Sequence, residues 1–339
     1  MEITGISVHK IDCSEQRLEL IDPINTSGDF RVYCNDLIKS VIELEEARRF
    51  KVRSDTTEVY SLMRRGVFQN AFLDCSCGIA ARLLNEEIKT LERIAHLDSE
   101  IQKGILLQAH VKHNDIDKHV ICKAEDTEVI NDSTFQKTRG YPIKKKIFKS
   151  ALTVFDGNQS ASSITIYDTN ARISTFWWSG FLEFEQHWDD EYNTETAFNS
   201  IDGKVLSKYK SRFPSDHMNL RNATISLFRT APEISFDNLV DQVFRNYQPT
   251  SQDFPLEDVV RKVSALPEKY NFDRRFSPIP KVVRAKMKSV VPLTDQLELH
   301  LKEDIDIRNL IYAEKNTQGE KFIRIRTDRG YDTFHERNT

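Results

Sequence analysis

Two apolar runs, KGILLQAHVKH at 103–113 and KHVICKAED at 118–126, are separated only by Asn114-Asp115-Ile116-Asp117. A polar turn that short between two such runs predicts a β-hairpin, and it commits the middle of the N-terminal half to a sheet. A second pair extends it. ALTVF at 151–155 and SITIYD at 163–168 flank Asp156-Gly157-Asn158, a strong turn sequence. The opening stretch, ISVHKI followed by RLELI, has strand character as well.

Helices are expected against this sheet. From Asp36 to Phe50 the residues Leu37, Val41 and Leu44 recur at helical spacing. From Ser76, which suits an N-cap, Ala80, Leu84, Ile88 and Leu91 repeat every three or four residues, with Glu86 and Glu87 turned outward. Between about 180 and 270 the helical pattern returns, with Leu239, Val243 and Phe244 in one segment and Leu256, Val259, Val260 and Val263 in another, separated by Pro249 and Pro255. After Pro267 strands resume, because LELHL at 297–301 alternates strictly, as do Ile323 and Ile325 in KFIRIR. The expected class is α+β: an N-terminal mixed sheet with packed helices over 1–180, a helical segment over 181–270, and a small strand-rich unit over 271–339.

A chain of 339 residues exceeds what one core usually serves, so two or three packed units are expected. With 39% hydrophobic residues and 20 Phe the chain has ample core material. No window approaches the roughly 18 apolar residues of a membrane span, and MEITGISVHKID lacks the layout of a signal peptide, so a cytoplasmic protein without membrane contact is expected. The five cysteines, at 13, 34, 75, 77 and 122, form no CxxC pair, which points to reduced thiols rather than disulfides or zinc. Cys75-Ser76-Cys77 at a helix start suits either a redox pair or buried small residues. No phosphate loop, dinucleotide turn, HExxH helix or GxSxG elbow is present, so no cofactor is expected.

The net charge of −4 means that any nucleic-acid contact must come from local strips. Between Lys137 and Lys149 the cations Lys137, Arg139, Lys144, Lys145, Lys146 and Lys149 occur with no acid among them, a cluster able to neutralise backbone phosphates or simply a solvated loop. A second strip comprises Lys281, Arg284, Lys286 and Lys288, and Arg324 and Arg326 are expected opposite Ile323 and Ile325 on their strand. The block FWWSGFLEFEQHW at 176–188 holds all three tryptophans, Trp177, Trp178 and Trp188, which suit a core between units or a partner-binding surface. His187, Asp189, Asp190 and Glu191 have the chemistry of a metal-dependent nuclease site or of a charged loop. Against the nuclease stands Ile121-Cys122-Lys123, where the acid that such sites carry two residues before the lysine is missing.

Taken in order, these segments resemble the bacterial 37-kDa nucleoid-associated (NdpA-like) protein family over nearly the whole chain. The matching pieces are Ile6-Ser7-Val8-His9-Lys10, then Gly78-Ile79-Ala80-Ala81-Arg82-Leu83, then GILLQAHV and VICKAED. IKKKIFKSALTVF, TFWWSGFLEFE, FDRRFSPIP, LTDQLELHLKEDI and KFIRIRTDRGYDTF follow. The resemblance implies association with the nucleoid, binding to DNA, and contact with DNA topology enzymes, without a catalytic centre. The near-neutral charge and dense aromatic block also suit an adaptor within a multi-protein assembly such as a phage-defence system. Three readings follow: a DNA-binding protein, with homo-oligomerisation allowed; an adaptor docking through its tryptophans; and a nuclease using Asp189, Asp190 or Glu191.

Overall fold

The structure, a computed structural model, describes residues 1–22, 26–94, 103–143, 148–170, 172–283, 289–301, 310–329 and 331. The chain opens with β1 (Glu2–Asp12), β2 (Arg17–Ile21), α1 (Gly28–Ile42), β3 (Arg48–Val52), α2 (Glu58–Phe68) and α3 (Phe72–Ile94). The hairpin at the centre is β4 (Gly104–His113) with β5 (Ile116–Glu125), in register from Gly104↔Glu125 to His113↔Ile116. Its loop is only two residues long. Asn114 and Asp115 both take positive φ, 50° and 61°, the geometry that tight hairpins require and that Asn and Asp tolerate best. Ile116 and Asp117 therefore belong to the strand rather than the turn.

A short ribbon of β6 (Thr127–Ile130) and β7 (Lys137–Gly140) comes next, followed by β8 (Phe148–Phe155), β9 (Ala161–Asp168) and β10 (Phe184–Gln186). Eight strands form one sheet in the order β10-β3-β9-β8-β5-β4-β1-β2. Every neighbouring pair in it is antiparallel, so the expected mixed sheet is corrected to an antiparallel one. The reason is that β1–β2, β4–β5 and β8–β9 are each joined by a tight turn, which reverses the chain, and no helical crossover brings a strand back parallel to its neighbour.

Both faces of the sheet are covered. Alternate residues Ile105, Leu107, Ala109 and Val111 of β4 pack with Leu37, Ile38 and Val41 of α1. On the other face Leu106, Ile121, Ala151 and Ile166 pack with Val59 and Met63 of α2 and Ile79, Ala80 and Leu83 of α3. The first helix thus lies upstream of the expected 36–50, with the Ser27 hydroxyl accepting from the Phe30 amide at 3.3 Å as its cap. Residues 48–52 are pulled out of it because Phe50 of β3 is needed in the core between β9 and β10.

A second core holds Phe198, Leu220, Phe228, Phe236, Phe244, Phe272 and Phe276, with members from Ala197 to Val283. Its helices include α4 (Asp190–Asn199), α5 (Pro214–Thr230), α6 (Phe236–Leu239), α7 (Leu256–Ser264), α8 (Leu266–Tyr270) and α9 (Pro280–Val283), with further helical turns over Ser200–Val205, Leu206–Tyr209 and Val240–Arg245 and the short pair β11 (Ile234–Ser235) and β12 (Arg275–Phe276). Two C-terminal ribbons complete the α+β architecture: β13 (Ser289–Thr294) with β14 (Leu297–Leu301), and β15 (Ile311–Lys315) with β16 (Lys321–Ile325). Among the described residues no helix is long and apolar enough to cross a membrane.

Candidate nucleic-acid interface

The C-terminal ribbon β15–β16 collects exposed cations. Its register sets Lys315 opposite Lys321, Tyr312 opposite Arg324 and Ala313 opposite Ile323. Between Ile311 and Arg329 lie Lys315, Lys321, Arg324, Arg326 and Arg329 against Glu314, Glu320 and Asp328. All five cations are exposed, and so are Tyr312 and Phe322. Arg324 pairs with Glu314 at 2.7 Å; among the described residues no ion pair engages the other four. Directly opposed like charges weaken a ribbon, so the Lys315–Lys321 pair is a site whose energy improves when an anion lies across it.

The expected strip at 137–149 divides. Lys144, Lys145 and Lys146 lie outside the described residues. Lys149 is not a surface cation, because its side chain is buried on β8 between Glu125 at 3.1 Å and Asp168 at 3.5 Å. A charge already neutralised in the interior is unavailable to a phosphate, and this corrects its assignment as a DNA contact. In the second strip Lys281 is exposed on α9, whereas Arg284, Lys286 and Lys288 lie outside the described residues.

Lys149 belongs to a buried row of charge that sequence reading missed. Register aligns Lys123, Lys149 and Asp168 across β5, β8 and β9, and Lys123 is ion-paired with Glu87 of α3. Glu87 was expected to face solvent beside Glu86. It points inward, because the helix must set a carboxylate against the ammonium that the strand carries into the core. Burial pushes the Glu87 carboxyl up, and Lys123 pulls it partly back down. The acid absent from Ile121-Cys122-Lys123 is therefore supplied from another element. Two ammonium groups interleave the carboxylates of Glu87, Glu125 and Asp168, an arrangement in which each acid is already partnered.

The aromatic block is mostly internal. Trp177, in a π-helical turn over Phe176–Phe181, is fully buried against Phe181 at 5.1 Å, so it offers no partner-binding surface, and its expected role there is corrected. Arg82 of α3 fixes this turn by donating to the carbonyls of Gly180 and Phe181, both at 3.0 Å. Trp178 is half-buried beside Phe50 at 5.6 Å. Trp188 is half-buried too, stacked on Tyr192 with the Arg49 guanidinium 5.0 Å from its ring.

The neighbouring acids are structural. Asp189 caps α4 by accepting from the Tyr192 amide at 2.7 Å. Asp190 pairs with Arg48 at 3.0 Å and accepts from the Ser277 amide at 3.1 Å, joining β3 to the helical core. Glu191 is exposed on the first turn of α4. Among the described residues no group of three or more His, Cys, Asp and Glu is placed to hold a metal ion. Cys75 is buried, Cys77 contacts Nε2 of His9 at 3.4 Å, and burial pushes both thiols up rather than toward thiolate.

No protein-family model matches the chain, and comparison with characterised proteins finds no match.

Proposed function

We propose that the chain binds duplex DNA through the backbone phosphates, with little sequence preference, as a nucleoid-associated protein. The observation that carries this reading is the β15–β16 ribbon, where Lys315 and Lys321 oppose each other at one end and Arg326 and Arg329 are further exposed cations following the other end. A two-stranded ribbon is a form that enters DNA grooves, and the guanidinium and ammonium groups along it are donors without base preference when they meet phosphates. Tyr312 and Phe322 add exposed rings among the cations, which suits contact with sugar and base faces.

Fluorescence anisotropy with labelled duplexes of unrelated sequence tests this across a salt series. Affinity is expected to fall steeply with salt and to differ little between sequences. Replacing Lys315, Lys321, Arg326 and Arg329 together by alanine is expected to reduce the slope of log affinity against log salt by about 3 to 4, at roughly 0.9 per phosphate contact. No binding at low salt, or a salt-insensitive interaction, overturns the reading.

A further inference from the structure

The C-terminal end of α2 and the β8–β9 turn border two adjoining clefts that share Gln159 as a wall. The smaller, of about 200 Å³, is lined only by polar side chains, Arg64 and Arg65 with Ser61, Gln69 and Gln159. Among the described residues no ion pair or side-chain hydrogen bond engages either arginine, and the Arg64 guanidinium lies 5.7 Å from the Tyr60 ring centroid. The larger cleft, of about 410 Å³, has an apolar floor of Phe68 and Phe155, whose rings meet edge-on at 5.3 Å, and at its rim Ile116 is 44% exposed. Three carboxylates border it. Asp117 is engaged by His110 at 2.8 Å, and one oxygen of Asp156 accepts from the amides of Asn158 and Ser160 at 2.9 and 3.0 Å. Asp115, exposed at the hairpin turn, meets no partner among the described residues.

We propose that the two clefts together bind a nucleoside 5′-monophosphate, with its phosphate on Arg64 and Arg65, its base on the Phe68–Phe155 floor, and its sugar hydroxyls donating to Asp115 and the second oxygen of Asp156. Helix geometry sets the spacing. Arg64 and Phe68 lie four residues apart, as do Arg65 and Gln69, so cations and ring share one side of α2 about one turn, roughly 6 Å, apart. Guanidinium groups grip an oxyanion through paired N–H donors, and two unpaired ones side by side suit a phosphate dianion better than a single carboxylate. The division of charge selects against the rival occupants. Duplex DNA is anionic along its whole length and would set further phosphates against Asp115 and Asp156. A peptide ammonium calls for uncompensated carboxylate charge, whereas Asp117 already faces His110 and Asp156 is half engaged by backbone amides. A neutral body whose hydroxyls donate matches the acceptors that remain, and a carboxylate accepting from a ribose hydroxyl is a common way to hold a nucleotide sugar. The proposal is independent of the DNA-binding reading above.

Isothermal titration calorimetry of the full chain tests this with the 5′-monophosphates of adenosine, guanosine, cytidine and uridine. The four nucleosides, ribose 5-phosphate and inorganic phosphate serve as part-ligands. At least one nucleotide is expected to bind about tenfold or more tightly than any of its parts. Arg64→Ala combined with Arg65→Ala is expected to weaken that nucleotide about 100-fold, and Asp115→Asn about threefold while leaving inorganic phosphate unchanged. If the double variant melts below the wild type, Arg65→Glu, at an exposed position, carries the test with an expected loss of about tenfold or more. Nucleotide affinity unchanged by the arginine variants, or no heat with any nucleotide up to about 1 mM, overturns the proposal. Ribose 5-phosphate or inorganic phosphate binding as tightly as every nucleotide overturns it as well, because the apolar floor would then hold no base. A lysine-terminated tripeptide that binds more tightly than every nucleotide, and weakens with Asp115→Asn, makes the clefts a peptide site and overturns it too. Every one of these outcomes is read without DNA and leaves the DNA-binding reading untouched.

Discussion

Lys123 of β5 and Glu87 of α3 form an ion pair with both side chains out of contact with solvent. Breaking one side leaves an unpaired buried charge. Glu87→Ala is expected to cost about 3 to 5 kcal/mol in urea unfolding, and Lys123→Met a similar amount. The double replacement Glu87→Leu, Lys123→Met is expected to recover most of that loss, since an apolar pair of similar volume avoids desolvating two ions. A double variant as unstable as the single ones would show that the pair's neighbours, not the pair, set the cost.

His119 lies on the same face of β5, fully buried against the Phe72 ring at 5.9 Å, and burial holds its pKa down at about 3. A histidine whose folded pKa is depressed contributes stability that is complete above its unfolded pKa, near 6.5, and is lost as pH falls toward the folded value. His9, also lowered by burial, acts in the same direction. Stability is expected to decline below pH 6 by up to about 1.4 kcal/mol per pH unit for each such histidine. His119→Leu is expected to flatten this acid limb in urea midpoints taken from pH 4 to 7. An unchanged limb would place the proton uptake elsewhere.

Lys149 and the ribbon cations are expected to respond oppositely to mutation. Lys149→Ala exposes Glu125 and Asp168 to each other without their shared ammonium, and is expected to destabilise the fold by about 3 kcal/mol or more. Any residual folded protein should keep the wild-type salt slope for DNA. The ribbon variants should show the reverse, an unchanged melting temperature and a reduced slope. A slope lowered by Lys149→Ala in folded protein would contradict its burial.

Trp177 is expected to dominate the core's sensitivity among the tryptophans. Its ring is wholly enclosed, and Trp177→Ala is expected to cost about 3 to 5 kcal/mol through the cavity it leaves. Among the described residues its indole N–H meets no hydrogen-bond partner, so Trp177→Phe is expected to cost less than the loss of volume alone suggests. Trp188→Ala, at a half-exposed site, is expected to fall nearer 1 kcal/mol. Thermal and urea unfolding of the three variants would rank them.

Local signals were readable where a residue's own chemistry sets the geometry. Asn114-Asp115 marked the central hairpin, because these side chains tolerate positive φ, and Asp156-Gly157-Asn158 marked the next one. The alternation in 297–301 and 321–325 likewise marked strands that formed. Where two distant elements decide together, the sequence was mute. Glu87 looks like a solvent-facing helix residue until β5 brings Lys123 beneath it, 36 positions later. Lys149 reads as one more cation in a basic stretch, because nothing local reveals that Glu125 and Asp168 flank it. Phe50 looked like the end of a helix because its partners Ile164 and Gln186 lie more than a hundred residues downstream. The exposed ring of Phe135 carried no periodic signal at all.

The place of β3 in the sheet also bears on how the chain is made. Its two neighbours, β9 and β10, follow it by 109 residues or more, counting from Val52 to Ala161. At about 5 to 20 residues per second, a ribosome leaves β3 without either partner for roughly 5 to 20 s. Throughout that interval Phe50 and Val52 have no sheet to join, and both edges of the strand are open to pairing with another nascent chain. Entry of β3 into the sheet therefore waits on β9, so chaperone dependence and losses during synthesis should track the delay between these strands rather than the stability of the finished protein.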